Sequence, residues 1–304
     1  TDRSVRTVWF ASGVLLLSMS MCLVWIRRWR KKKKTPGWLS NSDILIDQAI
    51  AQSSDETVEQ ITCFGGLKVI GVDGHDICRK FSPKIRQLFV LILLHSMGER
   101  KGISSKELSE HLWPGMGLQN AKNTRGTNIQ NLKAILASGS GIKLVFQDKL
   151  WFFEFPENYF IDYVFVENWL KETRQASFDN LIVKLPVLLS VLKKGNLLSN
   201  VTESWLDPFI NQMAAQIVEY GEYLFRVLPE GKCDLLLLEI SEVISINDPL
   251  NEPALRKRIS VLTRQGKLGL AHQVYETFGK LYFELYSEKY PTDFKSMVTV
   301  EAEI

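Results

Sequence analysis

The spacing of hydrophobic residues predicts a small β-sheet followed by a helix over residues 61–97. Within 61–81, apolar residues alternate with polar ones, as they do in half-buried strands. Asp73-Gly74 in this stretch is typical of a tight hairpin turn. From residue 82 the spacing becomes helical, with Ser82 suited to the N-cap and Pro83 to the first helical position.

Two further helices and a β-hairpin are predicted in succession over 103–155. Ser104 and Glu107 have capping-box spacing at the start of the first helix, and a Trp-Pro-Gly sequence ends it. The second helix covers about 120–137. Its buried stripe consists of Ile129, Leu132 and Leu136. Helix, helix and hairpin in this order indicate a winged helix-turn-helix.

The remainder of the chain predicts paired amphipathic helices separated by short polar turns, as in an all-α domain. The segment 264–278 has the small-residue and aromatic placing of a tetratricopeptide helix pair, although no exact repeat period is visible. The predicted winged helix-turn-helix domain therefore covers 61–157, and a tetratricopeptide-like helical domain covers 158–304.

Residues 7–26 are uncharged and long enough, at 1.5 Å per residue, to cross a hydrocarbon core of about 30 Å. They predict one transmembrane helix within a first region, 1–34, whose basic cluster at 27–34 exceeds the cations on the other side. The positive-inside bias then predicts a single-pass membrane protein with its C-terminal domains in the cytoplasm, which in a bacterium means the inner membrane. Residues 35–60 have the composition of a linker.

Two alternatives for this first region are disfavoured. A cleaved signal peptide would carry its basic cluster before the apolar run, whereas here the cluster follows it. The basic cluster could contact DNA, but its position beside the span favours anionic lipid. Because the chain begins at Thr1 and not at Met, we expect a missing N-terminal region that acts as an extracytoplasmic sensor.

Charge is distributed unevenly along the chain. The net charge is only +3, yet no Asp or Glu occurs between Leu112 and Gln147. The basic residues in this window are Lys122, Arg125, Lys133 and Lys143. A local basic surface without acids is typical of contact with phosphate, so the window predicts double-stranded DNA as a partner.

The third predicted helix presents amide and hydroxyl side chains opposite its buried stripe. Asn and Gln make paired hydrogen bonds with adenine, and Thr contacts the thymine methyl group. Lysines of the hairpin would face phosphate or the minor groove. A polar surface helix without a partner is the alternative. The candidate DNA-binding residues are Asn123, Thr124, Arg125, Thr127, Asn128, Gln130, Asn131, Lys133, Lys143 and Lys149.

No pattern in the chain indicates an enzyme. The four histidines lie at neither metal-binding nor catalytic-triad spacing, and phosphate-binding glycine motifs and nucleophile motifs are missing from the sequence. The four cysteines form no C-x-x-C pair, which fits a reducing compartment. We therefore expect no catalytic residues, no metal site and no cofactor.

The succession of strands, three helices and a hairpin, including Leu-Trp-Pro-Gly at 112–115, resembles the winged helix of OmpR-type and SARP-type bacterial transcription activators. The helices that follow, notably 245–276, are similar to the bacterial transcriptional activation domain of SARP-type regulators. The two resemblances together cover about 61–297.

The resemblance implies that the third helix enters the major groove and that the hairpin contacts the DNA backbone. By matching position it places Asn123, Thr127, Gln130, Asn131 and Lys133 at DNA contacts. It also implies that the helical domain mediates dimerisation or contacts with RNA polymerase. The family usually has several arginines where Gln130, Asn131 and Lys133 stand, and this departure favours a homodimer or tandem sites.

These observations predict an α+β winged helix-turn-helix domain followed by an all-α tetratricopeptide-like domain, preceded by one transmembrane helix. The predicted function is that of a membrane-tethered, sequence-specific transcription regulator that relays an extracytoplasmic signal, with DNA and the membrane as partners. The alternative is an inner-membrane protein-interaction scaffold with a degenerate winged helix and a helical-repeat binding surface. The scarcity of arginine on the third helix favours that alternative.

Overall fold

The computed structural model describes residues 60–97, 101–157, 159–172 and 178–299. An N-terminal sheet contains three short strands in the order β2-β1-β6. Strand β1 (Gln60–Thr62) pairs antiparallel with β2 (Lys68–Ile70) and parallel with β6 (Phe160–Ile161). The predicted sheet is therefore present, but its third strand comes from the region that the sequence analysis assigned to the helical domain.

The next elements form a winged helix-turn-helix. They are α1 (Pro83–Met97), β3 (Ile103–Ser104), α2 (Ser105–Leu112), α3 (Leu118–Ala137), β4 (Lys143–Gln147) and β5 (Leu150–Glu154). The strands form an antiparallel sheet in the order β3-β5-β4. Helices α2 and α3 form the helix-turn-helix, and the β4–β5 hairpin is the wing.

Local capping signals in this domain are confirmed. The Ser82 hydroxyl accepts a hydrogen bond from the Ile85 amide at 3.3 Å. At α2, the Ser104 hydroxyl accepts from the Glu107 amide at 3.2 Å, and the Glu107 carboxylate accepts from the Ser104 amide at 3.0 Å. These bonds satisfy backbone N–H groups that a helix start leaves without an intrahelical partner.

The helical domain follows β6. Its helices are α4 (Asp162–Glu172), α5 (Phe178–Leu192), α6 (Asp207–Val227), α7 (Asp234–Asn247), α8 (Glu252–Arg264), α9 (Leu268–Tyr286) and α10 (Phe294–Thr299). Helix α7 packs between α6 and α8, and α9 and α10 both pack against α8. A winged helix followed by helical pairs, which the resemblance implied, is thus present in the described residues.

A buried carboxylate joins the two domains. Asp162, at the start of α4, is fully buried and accepts hydrogen bonds from the backbone amides of Cys63 at 2.7 Å and Phe64 at 3.1 Å. Burial raises the pKa of this carboxyl to about 6, although the bound amides act in the opposite direction. Asn200 adds a second link, because its side-chain oxygen accepts from the Leu67 amide at 2.7 Å.

Within the winged helix, α1 contacts both its neighbouring elements and the helical domain. Leu88, Leu91 and Ile92 are completely buried, since α1 packs against α2, α3 and β5. On the helical-domain side, the His95 ring lies 5.6 Å from the ring of Phe209 in α6. The winged helix is therefore packed directly against the helical domain.

The predicted membrane localisation needs correction. No helix in the described part of the chain combines the length and the apolar character needed to cross a bilayer. Helix α1, for example, has 15 residues, which extend about 22 Å, and most of them are buried against other protein elements. The predicted inner-membrane localisation is therefore wrong. The predicted span, its basic flank and the linker lie outside the described residues, apart from Gln60.

Candidate nucleic-acid interface

Helix α3 is buried on one face only. Ala121, Ile129, Leu132 and Leu136 point into the core, which confirms the predicted stripe. The opposite face is exposed. It contains Asn123, Thr127, Gln130 and Asn131. Gly126 lies on the same surface, and a Cβ placed on it would have no atom within 4 Å. The face is therefore flat and open at its middle.

Several side chains of α3 bond within the helix. The Gln119 amide donates to the Asn123 side-chain oxygen at 3.2 Å, and the Asn128 amide donates to the Thr124 carbonyl at 2.8 Å. Thr124 and Asn128 are half-buried at the edge of the exposed face. For Gln130 and Asn131, by contrast, the described residues provide no hydrogen-bonding partner. Their amides are free to bind a ligand that approaches this face.

Arg125 does not lie on the open face. Its Nη1 donates to the Ser105 carbonyl at 2.8 Å and to the Ser109 hydroxyl at 2.5 Å, which ties α3 to α2. Partial burial lowers the pKa of its guanidinium. Arg125 was predicted to bind DNA because of its charge, and that role stays a prediction. The two hydrogen bonds show that its side chain also connects α3 with α2.

Trp151 of β5 joins three parts of the winged helix, and the sequence analysis missed it. Its indole N–H donates to the Ser105 hydroxyl at 2.9 Å. The Lys133 ammonium lies 5.5 Å from its ring centre, and the ring of exposed Phe146 lies 4.6 Å away. Trp151 therefore positions Lys133 beside the wing through a cation–π contact. An aromatic residue in an alternating strand was the only sequence signal.

The wing is a tight hairpin. Asp148 and Lys149 form its two-residue turn with φ values of 52° and 66°, a left-handed pair that matches a type I′ turn. Lys149 is exposed at this tip. Lys143 is exposed at the opposite end of the hairpin, in register with Glu154, which offsets part of its charge. Lys149 is therefore better placed than Lys143 to contact phosphate.

The described residues offer little for catalysis. They contain no group of three or more His, Cys, Asp or Glu side chains that could hold a metal ion. Burial raises the pKa of the Cys63 and Cys78 thiols, which opposes formation of a reactive thiolate. The expectation that the chain is not an enzyme stays a prediction.

Comparisons with known proteins return few matches. No family model matches the chain, and no curated protein does. Among solved structures, the chain is similar to Mycobacterium tuberculosis EmbR in complex with a low-affinity phosphopeptide. The TM-score is 0.49 and the sequence identity 14%, over 80% of this chain and 69% of that chain. A likeness of this extent carries no argument about function.

Proposed function

We propose that the winged helix binds double-stranded DNA and that the chain is a sequence-specific transcription regulator. The observation that carries this proposal is the exposed face of α3, which is polar, free of acids and centred on side chains with unused hydrogen-bonding groups. It belongs to the second helix of a helix-turn-helix, the position from which such helices enter the major groove.

The dimensions and the chemistry of α3 support this use. Its 20 residues extend about 30 Å, and the major groove, about 12 Å wide, accommodates an α-helix. Gln130 and Asn131 can each form a pair of hydrogen bonds with an adenine edge, and Thr127 can contact a thymine methyl group. The absent side chain at Gly126 lets the helix backbone approach the bases. We therefore propose a recognition site rich in A·T pairs.

The positive charge available near this face is small. Exposed Lys122, Lys133 and Lys149 are the cations best placed for phosphate, because Arg125 is held by α2 and Lys143 faces Glu154. With about 0.9 counterions released per phosphate, one copy should give a salt slope of about −2 to −3. Such a slope implies weak binding by one copy, so we propose that two copies bind together.

The test is selection of duplexes from a random pool, followed by binding measurements over a range of salt concentrations. Gln130→Ala and Asn131→Ala should relax the base preference, whereas Lys149→Ala should weaken binding to all duplexes alike. Asn211→Ala and Gln212→Ala remove the same side chains from an exposed part of α6 and should change nothing. Absence of salt-dependent binding to any selected duplex would contradict the proposal.

A second candidate function is that of a protein-interaction scaffold with a degenerate winged helix. One observation favours it: the only arginine of α3 is committed to Ser105 and Ser109, which leaves the exposed face without a guanidinium for phosphate. Recovery of one partner protein from DNase-treated extract, lost on Gln130→Ala and Asn131→Ala, would support this function over DNA binding.

A further inference from the structure

A groove of about 550 Å³ lies among α7, α8 and α9, away from the winged helix. Most of its lining is apolar. The apolar residues are Leu238, Pro249, Leu255, Leu262, Leu270, Val274, Phe278 and Leu281. A volume in this range, with an apolar lining and a few polar groups, is typical of sites for small molecules.

One cation in this groove has no acidic partner. Helix α8 carries three arginines, and two of them are paired: Arg256 with Glu252 at 2.5 Å, and Arg264 with Asp234 at 2.8 Å. The third, Arg258, is half-buried in the groove, and no described residue forms a hydrogen bond or ion pair with it. A partly desolvated guanidinium is stabilised when an anion supplies the missing acceptor.

The acidic residues that line the groove are already paired with a lysine. Glu239 and Glu242 of α7 both lie near the Lys193 ammonium, at 3.4 and 3.5 Å. These carboxylates raise the pKa of Lys193, although desolvation acts against them. The Gln273 side chain of α9 also lines the groove and has no hydrogen bond with other described residues. Arg258 and Gln273 can thus donate to an anion, while Lys193 offsets the nearby acids.

We infer that this groove binds a small amphipathic carboxylate, with one carboxylate group and an aliphatic body of medium-chain fatty-acid size. The carboxylate pairs with Arg258, and the aliphatic body packs against Leu270, Val274 and Leu281, which line the groove and are at least partly exposed. The charge of Arg258 selects the anionic head group, and the apolar lining selects the body. The inference does not depend on DNA binding, because none of these residues belongs to the winged helix.

The experiment is titration of the chain with decanoate, below its micellar range, followed by calorimetry and by NMR of leucine and valine methyl groups. Arg258→Gln should weaken decanoate binding by about tenfold, since it removes a charged hydrogen-bonding partner. Arg256→Gln is the matched control, because Arg256 lies on the same helix but pairs with Glu252. Thr277→Trp should abolish binding by filling the groove, with folding verified by circular dichroism.

Each outcome decides the proposal. Saturable decanoate binding that is weakened by Arg258→Gln, unchanged by Arg256→Gln and absent for decan-1-ol at the same concentrations supports it. No saturable binding, equal binding of decan-1-ol, or equal binding by Arg258→Gln overturns it. If Thr277→Trp instead converts a dimer to a monomer in sedimentation, a second copy covers the groove and the proposal is wrong.

Discussion

Helices α3 and α8 differ in how far their polar side chains are paired with other residues of the chain. On α8, Arg256 and Arg264 are paired with acids of the same domain, whereas Arg258 lies apart from them in the groove, so the part of the surface formed by the two pairs is complete by itself. On α3, Gln130 and Asn131 are exposed and bond to none of the described residues. A surface whose groups satisfy one another gains little from a partner, whereas open amides exchange water for a ligand at small cost. The exposed amides of Gln130 and Asn131 thus support the proposal that DNA binds to α3.

The largest effect should come from the Asp162 carboxylate, which joins the winged helix to the helical domain. Asp162→Ala leaves the Cys63 and Phe64 amides buried without an acceptor, and we expect a loss of about 3 kcal/mol in unfolding free energy. Urea denaturation measures it, and we expect separate transitions for the two domains. Glu157→Ala, which removes an exposed carboxylate, is the control. A loss below about 1 kcal/mol would show that the domains do not depend on Asp162.

The same carboxylate should give an unusual pH dependence. Its folded pKa, about 6, exceeds the ordinary 3.8, so the folded state retains a proton that the unfolded state releases. Its contribution to stability is therefore complete below pH 3.8 and is lost as pH rises through 6. Asp234 has the opposite sign, because Arg264 lowers its pKa and its contribution is lost as pH falls. The free energy of unfolding of wild type minus that of Asp162→Asn, measured by urea denaturation, should fall from pH 4 to pH 7. A rise over this range would contradict the raised pKa of Asp162.

Arg125 tests whether the structural and recognition roles of α3 are separate. Arg125→Ala removes two hydrogen bonds from a guanidinium to α2, so we expect a loss of about 2 kcal/mol in unfolding free energy. Arg125→Lys keeps the charge, but its ammonium lies one bond nearer the backbone than Nη1 and lacks the planar guanidinium, so it should restore little. If Arg125 contacts DNA instead, Arg125→Ala would lower DNA affinity and leave stability unchanged.

Substitutions on the exposed face of α3 should instead lower DNA affinity and leave stability nearly unchanged. Gln130→Ala and Asn131→Ala should each weaken binding to a selected duplex by about tenfold, which is about 1.4 kcal/mol, because each removes a paired contact with a base. Their unfolding free energies should stay within about 0.5 kcal/mol of wild type, as for exposed positions elsewhere. Equal losses of stability and affinity would remove the contrast with Arg125.

The smallest effect is expected on α8. Arg264→Ala removes ion pairs with Glu230 and Asp234, but all three side chains are partly exposed. Exposed pairs contribute less than about 1 kcal/mol because water and salt screen them. Thermal unfolding at low and high salt should show a small difference that decreases with salt. A larger, salt-independent loss would mean that this network is structural.

Local features of the fold follow from the sequence, and distant pairings do not. The capping box at Ser104 and Glu107 and the buried stripe of α3 depend on residues three or four positions apart. Such residues lie on the same side of a helix, so their spacing in the sequence is enough to predict them. The pairing of β1 with β6 joins strands about 100 residues apart, and short strands carry no periodicity that specifies a partner.

The candidate site shows the same division. The exposure of Asn123, Thr127, Gln130 and Asn131 follows from the buried stripe opposite them. The hydrogen bonds of the Arg125 side chain depend on Ser105 and Ser109 in another helix, and charge and spacing along α3 do not reveal them. Likewise, the cation–π contact of Lys133 with Trp151 exists only once the wing folds back on α3.

The central claim is that α3 reads DNA through its open amides. The most direct measurement is the affinity of the chain for a selected A·T-rich duplex as a function of salt, for wild type and for the Gln130→Ala, Asn131→Ala double variant. We expect a salt slope of about −2 to −3 per bound copy, unchanged in the variant, with affinity lower by about a hundredfold. No salt-dependent binding, or equal affinity of the two proteins, would contradict the claim.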